Sequence, residues 1–507
     1  MQDLLRYSER EFHKGYNNTM KPEILGPGYA TDALNCVLER DTIKKRNGYT
    51  IIGNDLGSKR GLGIHAHEES DGTKRIISLF DQSDDSNAEL WAWTGSGNHA
   101  QVSGGTSFTA DTDMNFETAN DATYTFNATD ASYKYDGSTA ASVAAIPVTK
   151  YAKWFHNYMF CAGNSTTPSR LYFSNVDDPE TWGGADYIDV NPNDGDEITG
   201  LHVLGDELVV TKRNRVWVLT GFTTASFAVT DLAERITGFG NISHRSMANI
   251  GNDLLFLSFI GTIPHIRSLQ RTRYAVNVAG GIISEDIEGT LDGVNTAQLG
   301  RAASVFDGRR LYMGIANSSD TYNSLILIYD TVHKGFTRWT GLNPAAWCIS
   351  TIGGQAELYF QEASADSVVY KLDTSTSDNG SAIDFSYTTR AFVCRGARGD
   401  VKADTKAKWK YLYMTADSGS DVDLTIETSP DTYTYESEDT MNLLGTSSVL
   451  PFTLPQPFGV PEMTRQRINI GRNPSHLLQY KFSQTEADKP VTIREYSVLF
   501  KPKKLRG

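Results

Sequence analysis

Apolar and polar residues alternate along this chain in short runs. Leu171 and Phe173 fall on one face of Arg170-Leu-Tyr-Phe-Ser174, and Val216 and Val218 repeat the pattern further on. A period of two predicts strands rather than helices. Ile198–Leu204, Glu207–Thr211 and Val216–Thr220 read as three further strands. Asp177-Asp178-Pro179 and Asn191-Pro192-Asn193-Asp194-Gly195 are turn sequences. In them Pro presets φ, Gly supplies positive φ, and Asp or Asn bonds its own backbone. The stretch from Ser169 to Phe222 is therefore a meander of short antiparallel strands with one wide loop, Asn191 to Glu197. Nothing in it is built for a chemical reaction.

The pattern recurs. Many strand packets end on an aromatic residue followed by a turn, as in Trp91-Ala-Trp93-Thr-Gly95, Tyr133-Lys-Tyr135-Asp-Gly137 and Trp217-Val-Leu-Thr-Gly221. Gly95 and Gly137 lie 42 residues apart, Gly137 and Gly221 84, and Tyr329 and Tyr370 41. A repeat of about 40–45 residues with four short strands each is the period of propeller blades. Candidate blades span 62–105, 112–146, 150–190, 198–230, 245–285, 300–341 and 345–378. The second is thin and rich in Ser, Thr and Ala, and reads as incomplete. Leu269 to Gly300 is less regular and reads as a long loop leaving the propeller. After Thr374-Ser-Thr-Ser-Asp-Asn-Gly380 the strands lengthen: Ile383–Val393, Trp409–Ala416, Asp421–Glu427, Arg465–Ile470, Leu477–Ser483 and Val491–Phe500. That spacing suits a β-sandwich-like platform. Pro451 to Pro461, with four prolines, is a loop excluded from a sheet interior. The expected fold is all-β: a lead-in over 1–60 that packs with the platform, a propeller of about seven blades over 61–380, and the platform domain over 381–507.

Composition narrows the function. Among 507 residues the formal net charge is −14, the wrong sign for a general polyanion binder, which gains affinity by neutralising phosphates. Cys36, Cys161, Cys348 and Cys394 are far apart in sequence. No Cys-x-x-Cys metal or redox site is present, and they read as small buried hydrophobes in a reducing cytosol. Met1-Gln-Asp-Leu-Leu-Arg6 lacks a leader pattern, and no run approaches the ~18 apolar residues that span a bilayer. The expectation is a soluble chain made in a cytosol, without membrane insertion.

The search for chemistry returns no catalytic, cofactor-binding or metal-binding residues. Asp177, Asp178 and Glu180, like Asp194 and Asp196, crowd into turns rather than standing as a carboxylate pair across a sugar bond. Neither the repeated Ser-x-Asp-x-Gly-x-x-Trp turn of sialidase-type propellers nor a nucleophile elbow or phosphate loop occurs. His65 and His67 share a strand face without an obvious third ligand. Asn191–Glu197 resembles a string of Ca²⁺ ligands but lacks the twelve-residue spacing of an EF-hand. Two basic clusters remain. Lys44, Lys45 and Arg46 precede a strand, and Lys503, Lys504 and Arg506 lie in the C-terminal tail. Either group is a candidate contact to a neighbouring subunit or adaptor; the plain alternatives are a solvated turn and a frayed end. Trp182 and Trp217 read as packing residues.

Three motifs in order carry a resemblance: Arg170-Leu-Tyr-Phe-Ser-Asn-Val-Asp-Asp-Pro-Glu-Thr-Trp182; Ile188-Asp-Val190 with Gly195-Asp-Glu-Ile-Thr-Gly-Leu201; and Leu208-Val-Val-Thr-Lys-Arg-Asn-Arg-Val-Trp-Val-Leu-Thr-Gly221. Together they resemble the propeller core of tail nozzle, or tail hub, proteins of short-tailed bacteriophages. Gly26-Pro-Gly28, Lys45-Arg-Asn-Gly-Tyr49, Ser324-Leu-Ile-Leu-Ile-Tyr-Asp330 and Phe336-Thr-Arg-Trp339 resemble the same family. The C-terminal β-domain resembles the platform of packaged-DNA stabilisation proteins. The resemblance implies a structural, non-enzymatic virion tail protein without cofactors. It implies a homo-hexameric ring below the portal–adaptor complex, carrying tail fibres or spikes, with double-stranded DNA held and then conducted through the lumen without specific binding. The alternative is a glycan-binding or glycan-cleaving β-propeller surface protein.

Overall fold

A computed structural model describes residues 4–57, 60–82, 86–232, 238–275, 277, 279–364, 367–394, 406–418, 420–431, 434–443, 464–470 and 474–503. The chain divides into two compact units, one of residues 50–327 and 342–372, the other of 1–49, 328–341 and 373–507. The Pro451–Pro461 loop lies outside the described residues, as do Lys504 and Arg506.

The first unit is a seven-bladed propeller. Blades 1 to 4 are four-stranded antiparallel sheets that begin with Gly61–Glu68, Asn115–Ala119, Tyr151–Phe155 and Ile198–Leu204. Blade 5 has three strands, Ala248–Asn249, Leu254–Ile260 and Ile263–Ser268. Blade 6 begins with Ala303–Phe306 and Arg310–Ile315, and blade 7 with Pro344–Ser350. Gly48–Ile52 forms the outermost strand of blade 7, so the start of the unit completes its last blade. The innermost strands touch one another around a full circle, with the turn His244–Ser246 standing in at blade 5. Radial repetition of this kind leaves only short, protected sheet edges.

Local chemistry explains the blades. Asn120 and Asp121, and His156 and Asn157, all have positive φ. Each pair forms the two-residue loop between the first two strands of its blade, as a type I′ hairpin requires. Between the blades lie the cores. Phe160, Leu171 and Phe173 of blade 3 meet Leu201, Leu208 and Trp217 of blade 4. Tyr124 and Phe126 of blade 2 meet Met159 and Cys161 of blade 3, with Trp182 packed alongside. A blade covers its apolar faces only against its neighbours, which is why seven wedges fold as one unit.

Two expectations change here. The second blade is complete, with four strands from Asn115 to Ser142. The segment after Leu269 does not leave the propeller. It folds back over blade 5, burying Leu269, Ile287, Leu291 and Leu299, and Ile283 donates its backbone N–H to Ile266. Its apolar residues are spaced for short helices, Leu269–Arg273 and Glu288–Leu291, which take the place of a fourth strand.

The second unit is a β-sandwich-like fold. One sheet carries Cys36–Leu38, Ile43–Lys45, Thr492–Lys503, Lys406–Asp417 and Thr464–Asn469, with Leu5–Glu9 also on Thr492–Lys503. The other includes Gly335–Trp339, Ala30–Leu34, Phe385–Thr389, Leu477–Gln484, Asp423–Pro430 and Glu436–Asn442. Tyr496 of the first sheet meets Phe392 and Phe482 of the second, with ring centroids 6.3 and 5.4 Å apart. The hairpin segment 328–341, part of the sixth candidate blade, is grouped with this unit, while in strand order Leu325–Asp330 and Gly335–Trp339 follow Ala303–Phe306 and Arg310–Ile315 as expected of that blade.

The basic turn is corrected by burial. Arg46 is 2% exposed. Its Nη1 and Nη2 donate to Asp378 at 2.7 and 2.6 Å, its Nε to Asn35 Oδ1 at 2.9 Å, and Nη2 also to the Thr340 carbonyl at 2.8 Å. Lys45 Nζ reaches Gln484 Oε1 at 2.6 Å and the Glu486 carbonyl at 2.9 Å. Burial, helped by Arg46, brings the Lys45 ammonium down to about 8. Neither side chain is free to meet a neighbouring subunit: Arg46 knits three segments of one unit together, and Lys45 ties its strand to the segment 484–486. Lys44 pairs with Glu39 at 3.0 Å and stays half-exposed, and Lys503 is exposed.

Arg46→Met would strand a buried Asp378 carboxylate, whose proton affinity burial already raises. A loss of about 3–5 kcal/mol is expected, read as a lower denaturation midpoint, with partial recovery on adding Asp378→Asn. A midpoint equal to that of the parent would contradict this role.

Candidate functional site

The innermost strands of a propeller converge on its axis, and here the axis is closed by one side chain. Arg245 sits in the turn that opens blade 5. Its Nη2 donates to the Leu62 carbonyl of blade 1 at 2.6 Å and to the Met114 carbonyl at the edge of blade 2. Its Nε donates to Asn115 Oδ1 at 3.2 Å, and Nη1 to the Ala345 carbonyl of blade 7 at 3.3 Å. The backbone carbonyl of Arg245 accepts from Ser304 of blade 6 at 3.3 Å. Gly63 makes the approach feasible: a Cβ there would stand 2.3 Å from the Met114 carbonyl oxygen.

Arg245 separates two axial cavities. On one side lies a chamber of about 170 Å³, walled by His65, Asn115, Lys153, His202, His244 and Trp347 among others. On the other is a space of about 60 Å³ between Arg60, Asp113, Arg301 and Asn323. The chamber histidines are held neutral. Burial, with the Lys153 charge nearby, pushes His65 down to about 3 and His202 to about 4. His244 is depressed by burial first, then by Lys153, His202 and Arg245. His244 Nδ1 accepts the Leu201 N–H at 3.3 Å, and His202 Nδ1 lies 2.9 Å from the Val203 carbonyl. Lys153 is paired with Glu117 at 2.6 Å. Among the residues walling the chamber there is no carboxylate.

The His65/His67 pair is explained by hydrogen bonding. His65 Nε2 meets Thr118 Oγ1 at 2.7 Å, Thr118 meets Thr123 at 2.9 Å, and Thr123 meets His67 Nδ1 at 2.9 Å. His67 Nε2 then meets Glu69, which also holds Arg75. This polar seam stitches blade 1 to blade 2. Among the described residues no group of three His, Cys, Asp or Glu side chains is placed to hold a metal ion. The four cysteines are buried and unpaired, and no helix among the described residues is long and apolar enough to cross a membrane.

The wide loop Asn191–Glu197 edges a groove of about 1100 Å³ between blades 3 and 4. Its cation is internal. Lys212 Nζ, fully buried, contacts Asp194 Oδ1 and Oδ2 at 2.9 and 2.8 Å, Ser169 Oγ at 2.9 Å and the Asn191 carbonyl at 3.1 Å. The other groove charges are also matched. Arg170 bonds Asp189 at 2.8 Å and stacks on Tyr187 at 3.5 Å, Arg213 pairs with Glu197, and Asp196 accepts the Asn214 backbone N–H at 3.0 Å. Trp217 is buried between blades, and Trp182 Nε1 donates to the Pro179 carbonyl at 2.9 Å. Sequence reasoning singled out this loop but missed Arg245, which belongs to no motif. Its only signal is position: it stands where the fifth candidate blade begins, facing the axis.

No protein-family model matches the chain, and no curated protein does. Among solved structures it is similar to the WD40 domain of Neurospora crassa Pan2, at 8% identity and a TM-score of 0.39 over 65% of this chain and 97% of that one. It is similar also to YCF48 bound to a D1 peptide, at 7% and 0.40 over 65% and 96%. A third is the exo-β-1,3-galactanase of Phanerochaete chrysosporium, at 8% and 0.26 over 90% and 100%. These likenesses go no further than β-propeller architecture.

Two outcomes are expected. Each neutral axial histidine has a folded-state pKa below its unfolded 6.5, so its contribution is complete above that pH and is lost as pH falls toward the folded value. Between pH 7 and pH 5, where carboxylates stay ionised, His65 and His202 each remove up to about 2 kcal/mol. A urea midpoint identical at the two pH values would contradict this. Separately, melting of the parent protein is expected to be the same in EDTA and in Ca²⁺. Lys212→Ala should melt several degrees lower and recover part of that loss in millimolar Ca²⁺, as oxygen ligands vacated by Nζ accept a cation.

Proposed function

We propose that this chain is a structural tail protein of a short-tailed bacteriophage, a nozzle or hub that assembles as a ring of six copies beneath the portal–adaptor complex. The observation that carries the reading is the ordered set of motifs from Arg170 to Gly221, which builds the paired blades 3 and 4 and the groove between them. Two features support it. The propeller axis is closed by Arg245, so its own centre is no conduit, and DNA would pass through a lumen formed between copies. The groove charges and the loop carboxylates are already paired, so the propeller presents rigid loops suited to holding fibres or spikes rather than a reaction centre. A net charge of −14 suits a wall that lets DNA slide past, because like charge disfavours phosphate contacts.

The glycan-cleaving alternative fares less well on chemistry. Hydrolysis by the two-carboxylate route needs a pair flanking the bond, and the chamber wall offers none. Rings of this kind are heterologous and close by rotation.

The test is the solution mass of the purified protein by light scattering, with and without the matching adaptor ring. A hexamer, or a monomer that gathers as six copies on the adaptor, is the expected result. A monomer that ignores the adaptor and binds a surface glycan would overturn the proposal.

A further inference from the structure

We propose that the axial chamber of the propeller binds a small tetrahedral oxyanion of the phosphate class. The first ground is charge. Arg245 makes its hydrogen bonds to the Leu62, Met114 and Ala345 carbonyls and to Asn115 Oδ1, all neutral acceptors. Among the described residues no carboxylate hydrogen-bonds its guanidinium. Burial disfavours its charge; Asp113 offsets part of that but is itself shared with Arg60 and Arg301 at 3.4 and 3.8 Å, so an anion in the chamber would lower the remaining cost. The neighbouring Lys153 is held by Glu117 Oε2 at 2.6 Å, while Glu117 Oε1 is taken by the Trp154 N–H at 3.0 Å. Glu117 is thus fully used and does not offset Arg245.

The second ground is an unused donor. Trp347 lines the chamber, is 9% exposed, and its Nε1–H has no hydrogen-bond partner. Buried indole donors are nearly always satisfied, so an unsatisfied one on a residue of the chamber wall points to an acceptor that belongs there. The third ground is the set of tautomers. His244 accepts the Leu201 N–H through Nδ1, which leaves its proton on Nε2 as a further donor. Guanidinium, ammonium, indole and imidazole donors thus line one space, and no carboxylate lines it. Its volume of about 170 Å³ equals that of several waters at ~30 Å³ each, room for one tetrahedral ion with part of its hydration.

This site is independent of what the outer loops hold. The same chemistry could come from free phosphate or from a terminal phosphate on a nucleic acid, and the experiment separates these sources. The full chain is titrated with sodium phosphate against sodium chloride of equal ionic strength, followed by calorimetry and by thermal melting. Saturable binding with a rise in melting temperature is expected. Trp347→Phe keeps the ring that packs on Phe360 and Tyr312 but removes the donor. It should weaken binding roughly 5- to 10-fold, the worth of one hydrogen bond. Arg245→Lys should weaken it too, but that variant loses blade contacts, so Trp347→Phe carries the test. A short 5′-phosphorylated oligonucleotide that competes with phosphate would identify a nucleic-acid terminus as the source; failure to compete would identify the free ion. The proposal is overturned if folded parent protein shows no saturable response, or if Trp347→Phe binds phosphate as tightly as the parent.

Discussion

The closed form of the propeller depends on a single guanidinium bonded to neutral oxygens. Seven wedge-shaped sheets stacked around an axis leave a space where their innermost strands converge, and backbone carbonyls of several blades face one another across it. Arg245 answers several of them from one side chain, reaching blades 1, 2 and 7 from blade 5. Hydrogen bonds to a charged group contribute more than neutral ones, about 1.5–3 kcal/mol each. Planar geometry lets one arginine serve diverging acceptors where a lysine cannot. The glycine at position 63 belongs to the same device, because any side chain there would collide with the Met114 carbonyl that Arg245 holds. In the proposed ring, whatever passes through would therefore do so between copies.

The sandwich unit shows the same principle in another form. Arg46 is surrounded by Asp378, Asn35 and the Thr340 carbonyl and lies over the Trp339 ring at 5.5 Å. Segments separated by hundreds of residues in sequence meet on one buried cation. In a sequence, such a residue looks like a member of an exposed basic run. What distinguishes it is the set of acceptors supplied from far away, which no local pattern records.

The blades were legible because their signal is local. Period-two alternation, turn residues with positive φ such as Asn120, Asp121 and Asn157, and the aromatic residues that close each packet all lie within one repeat. The sandwich strands after residue 381 were legible for the same reason, apart from Glu436–Asn442, whose polar sequence hides its alternation; Leu5–Glu9, Ala30–Leu34 and Ile43–Lys45 went unread in the lead-in because each is too short to show a period of its own. The helical insert after Leu269 was misread because its apolar residues are few and spaced by helical turns too short to register. Of the site, the Asn191–Glu197 loop was visible as an acidic string, but its occupant, Lys212, lies on the following strand pair and is found only when the loop folds over it. His65, His202 and the adjacent pair His244 and Arg245 come from three separate blades. Their meeting is a product of ring closure, which a linear reading does not contain.

A propeller bridged at its axis by Arg245 and a sandwich unit locked by buried cations are features that suit the proposed role of a durable building block. The measurement that tests the proposed tail role most directly is a cryo-electron-microscopy reconstruction of the virion proposed to carry this protein. The account predicts six copies around the tail axis, continuous DNA density in the lumen between them and none threading the propeller centres. A reconstruction that lacks the protein at the tail, or that shows nucleic acid running through the axis of each propeller past Arg245, would contradict it.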